Sequence, residues 1–113
     1  MAIQTEARRT GEFIVSESNG HRSRETVTLT GGDFPAGQVL GVITANGKYT
    51  DYDAGAADGT ETAAGILYAA TDASAADQNA VVIVRDCEVA SAALTGSDAA
   101  GVADFLAIGV IVR

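Results

Sequence analysis

His21 is the only histidine and Cys87 the only cysteine in the chain, so any imidazole or thiol chemistry must pass through them. His21 lies between Gly20 and Arg22 in a polar stretch, where nothing excludes water or fixes an imidazole tautomer. We read it as solvated. Cys87 stands between Asp86 and Glu88 in an apolar, strand-like run. Adjacent carboxylates raise a thiol pKa rather than activate it, so Cys87 reads as core or edge filler. One cysteine makes neither an internal disulfide nor a Cys-rich metal site. Asp51, Asp53 and Asp58 could offer hard oxygen ligands. An EF-hand loop starting at Asp51 fails, because Gly55 and Ala56 occupy its fifth and sixth places and Thr62 its last. No Gly-x-Ser-x-Gly elbow, phosphate-binding Gly-Lys-Ser/Thr loop or Gly-x-Gly-x-x-Gly turn is present. No catalytic residue, cofactor or metal is expected, and the chain reads as a protein that works by binding.

Charge narrows the partners. The 113 residues carry 7 Lys and Arg against 15 Asp and Glu, a net charge of −8. Phosphates would be repelled, and basic residues are not interleaved with aromatics, so no nucleic acid is expected. No apolar run approaches the roughly 18 residues of a membrane span, and Met1–Glu6 lacks the apolar stretch of a secretory signal. The acidity is unevenly placed. Residues 1–25 hold four Arg and four Glu, whereas residues 26–113 hold Lys48, Arg85 and Arg113 against eleven acids. A neutral N-terminal segment, 1–25, therefore precedes an acidic body, 26–113.

The length suits one domain, with a thin core that association could supplement. Of 23 branched aliphatic residues, 11 are Val and 7 Ile, which favours strands. Val27 and Leu29 alternate with Thr26 and Thr28 on a strand from Thr26 to Leu29. Phe34–Gly37 reads as a β-turn with Pro35 second and Gly37 fourth. Asn46-Gly47 predicts a hairpin joining 39–44 to 49–52. Asp53 to Thr62 is a surface loop. Ala63 to Tyr68 is a strand whose small first residues predict close packing or a bulge. Thr71 to Asn79 reads as a polar loop or a short helical turn. Ala80 to Val84 is apolar at every position and reads as a doubly buried central strand, continued by 85–89 toward an edge. A short helix is expected over Asp98–Ala107, capped by Ser97, with Val102, Phe105 and Leu106 on one face. Ile108 to Val112 is the last strand.

Glu12, Phe13, Ile14, Val15 and Ser16 form the one apolar burst of the N-terminal segment. Two readings stand at this point. The stretch is either the first strand of the domain's own sheet or an unpaired strand suited to adding onto another protein's sheet.

The ordered set of Gly11-Glu12-Phe13-Ile14-Val15-Ser16-Glu17, Ser23-Arg24-Glu25, Ala36-Gly37-Gln38-Val39-Leu40-Gly41, Asn46-Gly47-Lys48-Tyr49, Ala63-Ala64-Gly65-Ile66-Leu67, Ile83-Val84-Arg85-Asp86 and the closing Leu106–Arg113 resembles the bacteriophage head decoration protein D family. The resemblance spans almost the whole chain. It implies a mainly β, small β-clip or β-tulip-like domain with one or two short helices and an extended N-terminal arm. It implies a capsid decoration, or cement, protein without enzymatic activity or cofactor. Such a protein is made in the host bacterial cytoplasm and placed on the outer surface of the virion. Its partners would be the major capsid protein of the expanded head and itself, as a homotrimer stabilising the shell against packaged DNA. Residues 12–16 would then belong to the capsid-binding arm. One departure is Leu94-Thr95-Gly96, where many members carry Trp-Pro after the leucine. The alternative is a soluble ligand-binding or adhesin-like β module, which would need Tyr49, Tyr52, Tyr68 or the phenylalanines around a concave site. Tyr49 and Tyr52, three apart on a strand, point to opposite faces.

Overall fold

The computed structural model describes residues 10–17 and 23–113. Ten strands, β1 (Ile14–Glu17), β2 (Arg24–Leu29), β3 (Asp33–Phe34), β4 (Val39–Val42), β5 (Tyr49–Asp51), β6 (Ala63–Leu67), β7 (Thr71–Asp72), β8 (Gln78–Ile83), β9 (Cys87–Val89) and β10 (Val110–Val112), accompany one helix, α1 (Ala99–Ala107). A 3₁₀ turn spans Ser91–Ala93. The protein is thus mainly β, with one short helix among the described residues, as its β-branched composition predicts.

Strands β2, β5, β4, β6 and β8 close into a barrel, β1, β9 and β10 form a separate three-stranded sheet, and β3 pairs with β7. Side-chain alternation divides the apolar residues between two cores. Leu29, Leu40, Leu67, Ala80 and Val82 fill the barrel with Ala73 and Val84. Their neighbours Val39, Ile66 and Ile83 point the other way, onto Phe13, Cys87, Val89, Phe105 and Val110 of the small sheet and helix. Continuous apolar runs arise because each such strand is covered on both sides. β8 is the strand expected to be doubly buried, and it lies between β2 and β6.

The small residues at the start of β6 do what their size predicts. A Cβ on Gly65 would strike the Val82 Cγ1 atom. The register against β4 slips between Leu40 and Gly41, so a bulge accompanies the close approach. The Asn46-Gly47 hairpin joins β4 to β5 antiparallel. Its loop is longer than two residues: the Ile43 N–H donates to the Lys48 carbonyl at 2.8 Å. Only Gly47 takes a positive φ, of 72°.

Several expectations shift. The turn near Pro35 closes one residue later, with the Gln38 N–H donating to the Pro35 carbonyl at 3.2 Å. Gly37, at φ 89°, then sits third, where a type II turn requires a positive φ. Residues 71–79 hold no helical turn; β7 and the start of β8 lie there. Residues 85–89 do not extend β8 to an edge. Asp86, at φ 49°, turns the chain, and β9 becomes the centre of the small sheet. The helix is capped by Asp98, not Ser97: the Asp98 carboxylate accepts the Gly101 N–H at 2.7 Å. Phe105 is buried, but Val102 and Leu106 are exposed, so the expected shared face is not the buried one. Where Trp-Pro was expected, Thr95 bridges Gln38, and its N–H donates to the Gly37 carbonyl at 2.9 Å.

Of the N-terminal segment, residues 1–9 and 18–22, His21 among them, lie outside the described residues. Residues 10–17 pack into the body. The expectation of an unpaired strand over Glu12–Ser16 does not hold there, because β1 runs antiparallel to β9, with Ile14 opposite Val89 and Glu17 opposite Cys87.

Candidate functional site

The N-terminal strand is held from both ends. Gly11, at φ 67°, donates its N–H to the Tyr68 carbonyl at 2.9 Å. A Cβ there would sit 2.9 Å from the Tyr68 ring, so the glycine allows the chain to lie on that ring. Phe13 follows, 1% exposed in the outer core, with its carbonyl accepting the Ala90 N–H at 2.7 Å. While it fills that core it cannot fill a site on a partner. At the far end Glu17 grips Arg24 through a fork of two hydrogen bonds, 2.5 and 3.2 Å. The Arg24 guanidinium lies 4.2 Å from the Tyr68 ring centroid, close enough for a cation–π contact. The Glu17 hydrogen bond raises the Arg24 pKa further still. Tyr68 thus supports the strand at both Gly11 and Arg24.

Between these anchors the strand faces outward. The register slips between Ile14 and Ser16. Val15 is the bulged residue, and its side chain is 55% exposed. Within the small sheet β1 pairs only with β9, so its other edge carries no strand among the described residues. Of the five residues singled out, Phe13 is buried, Ile14 packs partly against the core, and Val15 faces solvent. Glu12 is exposed and Ser16 is exposed, its carbonyl accepting from the Cys87 Sγ at 3.1 Å. Sequence reasoning missed the dual character of the stretch. Phe13 and Val15 would fall on one face of an ideal strand, but Phe13 lies in the turn that precedes β1 and Val15 at the bulge.

Titratable groups here are structural. Cys87 is 3% exposed. Burial, then the charge of Glu17, pushes its thiol from 9.0 up to about 11, with Arg24 opposing and Glu88 adding a smaller rise. The direction matches the sequence reading, but burial leads rather than neighbouring carboxylates. Tyr52, 8% exposed, donates its hydroxyl to Asp98 at 2.8 Å. Burial and that hydrogen bond raise it from 10.0 to about 12. Both groups bind their protons more tightly folded than unfolded. Their stabilisation is complete below about pH 9 and falls as pH rises toward about 12. Urea midpoints measured from pH 8 to 12 should therefore decline, and Tyr52→Phe should flatten the decline between pH 10 and 12.

One shallow groove lies beside β1 and another beside β2. One of about 320 Å³ is lined by Ser16, Glu17, Asp86, Cys87, Glu88 and Ile111 with Gly109. The other, of about 290 Å³, is lined by Arg24, Glu25, Thr26, Tyr68 and Val81. Glu17 and Glu88 in the first are ion-paired, to Arg24 and Arg113. The acidic loop folds on itself. Asp53 accepts the Gly55 N–H at 2.9 Å, and Asp58 accepts the Thr60 N–H and hydroxyl at 3.1 and 2.6 Å. The aromatics line no common concavity: Phe13, Tyr52 and Phe105 are buried. Tyr52 packs into the outer core and Tyr49 against the barrel core, on opposite sides as their spacing predicts.

β1 is thus an edge strand seated on an acidic body. A family model described as bacteriophage lambda head decoration protein D matches residues 3–110. The chain belongs to that family. None of the curated proteins compared with it matches. Membership in the head decoration protein D family gives the chain a phage capsid decoration role, with binding to the capsid at the outer surface of the virion. The family is one of structural capsid proteins. Among the described residues no helix is long and apolar enough to cross a membrane.

Proposed function

We propose that the chain binds the outside of the expanded phage head as a trimer and reinforces the shell against the pressure of packaged DNA. Docking runs through the N-terminal segment, with β1 offering its open edge to a strand of the major capsid protein. Glu12, Val15 and Ser16 meet that strand, while Phe13 and Ile14 hold β1 to the body. The observation that carries this reading is the pairing of β1 on one side only, with the Val15 side chain turned outward at the bulge. An exposed strand edge is a template for strand addition.

Seating β1 in advance lowers the cost of docking. Ordering a free arm costs about 1–2 kcal/mol per residue in backbone entropy. Residues 10–17 have already met that cost within the body. One copy still presents only a short edge, so three copies held together gain through effective concentration. Selectivity for the expanded head follows if expansion exposes or correctly spaces the receiving strand. Co-sedimentation with expanded and unexpanded DNA-free heads tests the reading. Saturable binding to expanded heads, in multiples of three copies per site, is expected. Absence of binding to expanded heads would overturn it.

The soluble ligand-binding alternative finds less support, because the aromatics it needs are divided between two cores.

A further inference from the structure

We propose that the outward face of α1 is where one copy of this chain meets the next, an inference that rests on the head-decoration reading above. Toward the body the helix presents Gly101 and Phe105, both buried. Outward it presents Ala99, Ala100, Val102, Ala103, Leu106 and Ala107, all exposed, with Leu106 66% open to solvent. Asp104 is the one charged residue within the helix, and its carboxylate turns inward to accept the Ala63 N–H at 3.0 Å. The capping carboxylate of Asp98 is likewise engaged, by the Gly101 N–H and the Tyr52 hydroxyl. A helix face left to water ordinarily carries polar side chains. This one carries none.

Charge selects the occupant. The chain has a net charge of −8. Each cation among the described residues is already ion-paired: Arg24 with Glu17, Lys48 with Asp77, Arg85 with Glu25 and Arg113 with Glu88. A partner of opposite charge would be drawn to the carboxylate-rich remainder. An identical, equally acidic copy can approach closely only where charge is missing. The patch is also small. A nine-residue helix is about 13 Å long. Such a face falls short of the roughly 800 Å² per partner of a self-sufficient interface. It suits a contact between copies that the head already holds side by side.

Photo-crosslinking tests this directly. Leu106 is replaced by p-benzoylphenylalanine, and Ala75, in an exposed loop, serves as the control position. The chains are seated on expanded heads and irradiated. Position 106 should yield a product of two decoration chains, at least about fivefold more than position 75. A second variant, Leu106→Glu, should bind heads with its cooperativity between copies lost. Crosslinks only to the capsid protein, no crosslink from seated chains, or an unchanged Leu106→Glu isotherm would overturn the inference while leaving head binding intact. Failure of the unaltered chain to bind heads would instead overturn the head-decoration reading, and the inference with it.

Discussion

Replacing Phe13 by alanine is expected to lower folding stability by about 3–5 kcal/mol, the cost of emptying a fully buried phenylalanine site. Phe13 is 1% exposed and packs with Val39, Ile66, Ile83, Val89, Phe105 and Val110, residues contributed by the barrel, the small sheet and the region around the helix. Its ring is therefore shared by elements of the barrel, the small sheet and the helix. Its backbone also matters, because its carbonyl accepts the Ala90 N–H. Domains of this kind are commonly stable by only about 5–15 kcal/mol, so the variant should stand near the threshold of folding. Urea unfolding with an unchanged slope and a much lower midpoint is the expected observation. A loss below about 1 kcal/mol would place Phe13 outside the core. For the same reason, removing residues 10–17 should cost at least as much stability as the loss of the Phe13 ring.

Val15→Lys is expected to act in the opposite way, sparing the fold and weakening docking. The side chain is 55% exposed at a bulge, so stability should stay within about 0.5 kcal/mol of the unaltered chain. A lysine on an open strand edge discourages strand addition. Complete burial of a valine contributes roughly 1.5–3 kcal/mol, and about half that remains to be gained here, on the order of 1 kcal/mol per copy. Across three linked copies the loss approaches about 3 kcal/mol, a hundredfold in affinity. Titration of expanded heads with both chains, alongside urea unfolding of each, separates the two effects. An unaltered affinity would exclude Val15 from the contact.

Much of the fold was legible because it follows from local patterns. Asn46-Gly47 marked the hairpin, the apolar run at residues 80–84 marked the doubly covered strand, and the small residues opening β6 marked a close approach with a bulge. What escaped was tertiary in origin. Asp86 adopts a positive φ, which aspartate tolerates better than most residues but which nothing local marks out at this position, and the bend moves Cys87–Val89 from a supposed edge to the middle of a second sheet. The cap is Asp98 rather than Ser97, and the same carboxylate accepts the Tyr52 hydroxyl from just beyond β5, a contact distant in sequence. At the candidate site, residues 12–16 are recognisable in the sequence as an isolated apolar burst. Phe13 belongs to the domain, and Val15, at the bulge, to its surface. Spacing alone cannot reveal a bulge, since it depends on how β9 pairs.

Hydrogen exchange across Ile14–Glu17, compared between free chain and chain seated on expanded heads, most directly probes whether β1 receives a capsid strand. Amides on the open edge should exchange at least about tenfold more slowly once seated. Fully occupied heads with unchanged exchange along β1 would contradict strand addition at that edge.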